Sequence, residues 1–169
     1  ALTRYLVEYK DSLKPLEPPS ALVLLSPWVD LNHTHSGPNS SLARNNSSDY
    51  LDISADASHS SSYPALAFTG PHGLGFADIN PYLSPASLSL TLEDVSFVGF
   101  PRTFIVAGGA EVLYDQIHTL KERMVRSLGE GKVGWYDAKD GIHDYIAVGA
   151  HEPERTDTLE AIAAWLNEA

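Results

Sequence analysis

Three short stretches of the sequence carry residues whose types and spacing suit acid–base chemistry. The first is Gly141-Ile142-His143-Asp144-Tyr145, a loop in which an imidazole closely follows a glycine. Histidine titrates near neutrality and works as a general base once a partner fixes its tautomer. The second is Gly108-Gly109-Ala110-Glu111-Val112-Leu113-Tyr114-Asp115, with two carboxylates four positions apart. On a helix that spacing puts both on one face, and either one has the chemistry to orient the imidazole. The third, Ser26-Pro27-Trp28-Val29-Asp30, brings an indole that suits the wall of an apolar pocket. Each also has a plainer reading: a structural histidine, acids that complement a helix dipole, a core tryptophan. Only the combination favours chemistry.

The elements around these stretches alternate between helix and strand. Leu2, Tyr5, Leu6, Tyr9 and Leu13 recur at helical spacing, so residues 1–14 read as an amphipathic helix stopped by Pro15, Pro18 and Pro19. Residues 21–25 (ALVLL) and 103–107 (TFIVA) are continuous apolar runs, the pattern of strands covered on both faces in a parallel sheet. Leu113, Ile117, Leu120, Met124 and Leu128 predict a helix over 111–128, with Arg123 and Arg126 near its end and Gly129 as its stop. A third strand over 132–136 and a final helix over 155–168 complete the α/β series. In such sheets functional groups gather just past the carboxyl ends of strands. All three stretches named above fall there.

Residues 31–89 differ from the rest, being dense in Ser, Asn, Gly, Pro and His. A structureless loop of that length is unusual inside a compact unit, so this segment is expected to be an inserted cap or lid with short helices. The division that follows is a core of residues 1–30 and 90–169 and a cap of 31–89. The cap holds Asn-X-Ser/Thr sequons at Asn32, Asn39, Asn45 and Asn46, compatible with secretion. His33 and His35 lack a third ligand and are assigned to the cap surface, and no metal site is expected.

Composition removes several classes of function. With 11 Lys+Arg against 22 Asp+Glu the net charge is −11, which opposes nucleic-acid or anionic-membrane binding. No cysteine is present, which excludes thiol nucleophiles, thiolate metal sites and disulfides. No apolar run is long enough to span a bilayer.

Four motifs together resemble one family. They are SPWVDL (26–31), NPYLSP (80–85), P-x-x-F-I-V-x-G-G-A-E-x-L-x-D (101–115) and G-I-H-D-Y (141–145). In this order they are similar to the hormone-sensitive-lipase-like α/β-hydrolases, which include fungal and bacterial carboxylesterases and acetyl-hydrolases. The resemblance implies the last three strands of a mostly parallel sheet with flanking helices and a cap insertion. It also implies hydrolysis of short to medium acyl esters without a cofactor. It places the catalytic histidine at His143 and the acid at Glu111, with Asp115 as the second choice, in the chain order Ser…Asp/Glu…His.

The departure from the family is the nucleophile: no G-x-S-x-G motif occurs in the chain. Residues 1–14 resemble the helix that leaves the family's nucleophile turn, so the serine is expected shortly before Ala1. On this resemblance the partner of the chain is the N-terminal portion of the same hydrolase, and the substrate is a small ester. The expected rival is a non-catalytic α/β-hydrolase-fold binding protein or an inactive fragment.

Overall fold

The computed structural model describes residues 1–53 and 63–168 and contains three parallel strands in the order β1-β2-β3. Strand β2 (Arg102–Gly108) lies in the middle and is buried from Thr103 onward. Its side chains alternate between the two faces. Ile105 and Ala107 join Ile117, Leu120 and Met124 in one cluster, while Phe104 and Val106 join Tyr145, Ile162 and Trp165 in another. A strand apolar on both faces thus receives a helix on each: α5 (Tyr114–Leu128) on one side and α6 (Glu154–Asn167) on the other. This is the layering that the apolar runs predict.

Strand β3 (Val133–Ala138) runs beside β2 from the Thr103–Val133 pair to the Gly108–Ala138 pair. Strand β1 (Ala21–Leu25) pairs with the other side of β2, from Ala21–Arg102 to Leu25–Val106. The sequence predicts β1 as buried on both faces, yet it is only half-buried, and Leu25 is 41% exposed. Its outer edge has no partner strand among the described residues.

Helix α1 (Leu2–Glu8) is shorter than predicted. Of its expected apolar face Leu2, Tyr5 and Tyr9 are exposed while Leu6 and Leu13 are half-buried, and Arg4 is its buried residue. The Arg4 guanidinium donates to the Ser96 carbonyl at 2.8 Å and lies over the Phe97 and Phe100 rings. Cation–π contact and an aliphatic stem make that inward position tolerable for an arginine.

Between β1 and β2 the described residues form three short α-helices, α2 (Ser41–Arg44), α3 (Tyr63–Thr69) and α4 (Gly73–Asp78). Leu31, Ala65 and Ala77 make a small cluster of their own, whereas Ile53, Ala86 and Leu90 join the main core. Arg123, read from the sequence only as a basic residue near the helix end, reaches inward from α5. It donates to the carbonyls of Pro85, Ser87 and Leu90 at 2.7, 2.9 and 2.8 Å and so holds that loop to the core. Among the described residues no helix is long and apolar enough to cross a membrane.

Candidate active site

The site is built where β2 and β3 end. After Gly108 the chain turns through residues 109–113 before α5 begins, so the helix starts at Tyr114 rather than at Glu111 as predicted. After Ala138 it turns back toward β2. The two turns are laced together by main-chain hydrogen bonds: Gly109 N–H to the Ala138 carbonyl at 2.7 Å and Ala110 N–H to the Gly141 carbonyl at 2.9 Å. Glycine is required here for space. A Cβ on Gly108 would stand 2.3 Å from the Gly141 oxygen, and one on Gly109 would stand 2.4 Å from the Lys139 oxygen. Neither residue has positive φ, so the diglycine serves close approach and not an unusual turn conformation.

That approach brings Glu111 to His143. The Glu111 side chain is fully buried, and its Oε2 lies 3.1 Å from His143 Nδ1. Its Oε1 accepts the Gly108 N–H at 2.9 Å, and the Ser26 hydroxyl also hydrogen-bonds the carboxyl. Ser26 accepts the Asp144 N–H at 3.2 Å, tying the end of β1 to the same cluster. Beyond His143, the fully buried Tyr145 shares a 2.6 Å hydrogen bond with Thr158 of α6, which fixes the far end of the histidine turn.

Burial pushes the Glu111 carboxyl above its ordinary value, against the hydrogen bonds from His143, Gly108 and Ser26 that favour the anion. For His143 burial pulls downward. The Glu111 hydrogen bond and the charges of Asp144, Glu111 and Asp49 outweigh it, and the net direction is up. Such a pair holds the imidazole in one tautomer, with Nδ1–H toward the acid, and welcomes a proton at Nε2. Among the described residues Nε2 meets only the Asp144 carboxylate, at 3.5 Å, and the Tyr50 ring lies 6.0 Å from the imidazole ring.

The remaining sequence candidates lie apart from this pair. Asp115 does not share a face with Glu111, because Glu111 precedes the helix. Its Oδ2 accepts the Ser41 N–H at 2.7 Å, and Oδ1 lies 3.5 Å from Arg44. Trp28 packs into two apolar clusters, stacks on His33 and donates to the Asp30 carbonyl two residues on. The histidines assigned to the cap surface are inside. His33 is 7% exposed. His35 bridges Asp30, at 2.8 Å, and the Thr119 hydroxyl, at 2.9 Å. Burial would raise the Asp30 carboxyl, but the hydrogen bonds from His35 and Thr34 prevail and hold it low. That bridge ties the stretch after β1 to α5, which is why these rings left the surface.

Two contributors escaped the sequence reading. Ser26 heads the SPWVDL motif, so its position carried a signal although its role did not. Asp49 lies in the Ser/Asn-rich segment and carried none. Its carboxylate accepts the Val112 N–H at 2.8 Å and the His143 N–H at 3.3 Å.

No family model matches the sequence, and no curated protein matches it. Solved structures do. Two fungal esterases from Rhizomucor miehei were the subject of one matching structure, at 18% identity and TM-score 0.70, covering 99% of this chain and 46% of that one. A hormone-sensitive lipase from a metagenome library matches at 24% identity and TM-score 0.68, covering 98% and 49%. An esterase of the bacterial hormone-sensitive lipase family matches at 23% identity and TM-score 0.65, covering 99% and 48%. The fold is that of the C-terminal half of the α/β-hydrolase esterases, and the chain spans about half the length of the structures it matches.

Proposed function

We propose that this chain supplies the general base and the acid of a serine-dependent carboxylic ester hydrolase of the hormone-sensitive-lipase type. The observation that carries the proposal is the contact between the fully buried Glu111 and His143 Nδ1, 3.1 Å long and formed by turns past successive strands. The similarity of fold to esterases and lipases supports it. A serine from a segment preceding residue 1 attacks the ester carbonyl as His143 Nε2 takes its proton. Glu111 keeps the ring oriented and stabilises the imidazolium. Nε2 then hands the proton to the departing alkoxide, and an acyl-enzyme remains. In the second half His143 deprotonates water, and the cycle reverses. Residues 31–89, of which 54–62 lie outside the described residues, are the expected cap over short to medium acyl chains. Trp28 walls the acyl pocket on the strength of its place just past β1, although its observed contacts are those of a core residue.

The test uses the full-length protein and a short-chain nitrophenyl ester. E111Q is expected to lower kcat on the order of 10³–10⁴-fold by removing the charged partner of the ring, whereas D115N stays within a few-fold of wild type. The reverse pattern overturns the choice of acid. A fluorophosphonate probe is expected to label a serine outside these 169 residues, and a protein that only binds ligand would not label.

A further inference from the structure

We propose that Asp49 is a positioning residue for this pair, one carboxylate that ties the acid turn to the histidine turn and sets the distance between Glu111 and His143. The proposal rests on the esterase function proposed above. Its basis is geometric. Val112, whose N–H Asp49 Oδ2 accepts at 2.8 Å, directly follows the acid in the chain. Oδ1 accepts the N–H of the histidine itself at 3.3 Å, and the Leu51 N–H at the same distance. Asp49 therefore adds a side-chain tie, at Val112 and His143, between two turns that main-chain hydrogen bonds join only through Gly109 and Ala110.

The surrounding segment is shaped to deliver that carboxylate. Asn45 donates to the carbonyls of Gly109 and Glu111 at 3.3 and 2.9 Å, and the Ser48 hydroxyl donates to Ala110 at 3.2 Å. Residues 45–49 thus lie across the whole acid turn, pairing its carbonyls with donors and its Val112 N–H with an acceptor. Asp49 is the member of this saddle that also reaches the second turn.

A carboxylate suits the task because both its oxygens accept and neither donates. Asparagine in its place offers one acceptor and points an NH₂ group at the second N–H, so one of the two ties must break. The turns then part, and small displacements of a base from its partner can cost about 100-fold in rate. Removing Asp49 also removes one of the negative charges facing His143. Among the described residues the others are Glu111, on the acid turn, and Asp144, on its own turn, and the Tyr50 phenol faces the ring from the 45–53 segment.

The experiment is steady-state kinetics of the full-length protein across pH, comparing wild type, D49N and H143A. D49N is expected to lose about 10- to 100-fold in kcat with KM within about threefold, and the acid limb of its kcat profile moves to lower pH. A purely structural aspartate would lower activity in proportion to the folded fraction and leave the limb in place. That outcome, or an unchanged kcat, overturns the proposal. Should D49N fail to fold, D49S keeps one acceptor without the opposing amide and is read by the same two measures. H143A separates the two levels. If it is inactive while D49N matches wild type, only the role of Asp49 fails. If H143A retains full activity, the esterase assignment fails first.

Discussion

At the scale of residues, the pair Glu111 and His143 sets the pH response. His143 must be neutral to accept a proton, and its surroundings raise its value above the ordinary 6.5. The acid limb of kcat/KM is therefore expected above pH 6.5, with activity rising as pH climbs through it. Replacing Glu111 by Gln moves the limb down, since the hydrogen-bonded charge that offsets burial is gone. A wild-type limb below pH 6.5, followed by steady-state kinetics, contradicts this. For stability the sign is opposite: the contribution of a raised histidine is complete below its unfolded value and fades as pH rises through the folded one. The candidates around His143 and Glu111 were legible because a loop histidine and two acids each follow a predicted strand, and the choice of Glu111 over Asp115 came from the family resemblance. Asp49 was not. Its partners lie 63 and 94 positions away, and nothing local distinguishes it from the polar residues around it.

At the scale of elements, the join between the two turns governs whether the pair forms. A methyl group on Gly108 would fall 2.3 Å from the Gly141 oxygen, a main-chain atom that cannot swing aside. G108A is expected to destabilise the protein by about 1–3 kcal/mol or more, as overpacking does, and to lower kcat as well by pushing the turns apart. Chemical denaturation and activity measured together check this, and a variant with wild-type kcat contradicts it. The diglycine is visible in the sequence after the TFIVA run, but its reason is spatial, which only the neighbouring turn reveals. Strands β1 and β2 were legible from apolar runs and α5 from its helical stripe, because burial imposes those patterns. The buried face of helix α1 was misread in part. Its apolar stripe is real, but the inward place belongs to Arg4, whose aromatic and carbonyl partners come from residues 96–100. His33 and His35 were misplaced for a related reason: their partners Trp28, Asp30 and Thr119 come together only in the fold.

At the scale of the whole molecule, β1 presents an edge with no partner strand among the described residues and an exposed Leu25. An unpaired apolar edge templates association. Residues 1–169 produced alone are therefore expected to associate or to melt without a cooperative transition. A monomer by light scattering with a single sharp thermal transition contradicts that. The parallel order of the strands has another result. Every strand delivers its chemistry to the same rim: Ser26 after β1, Glu111 after β2 and His143 after β3. The opposite rim, where the chain enters the strands, holds none of these groups. Gly131 lies there in the turn entering β3, and nothing stands within 4 Å of where its Cβ would be. For immobilisation or fluorescent labelling, this turn offers an attachment point separated from the reacting groups by the full length of the sheet.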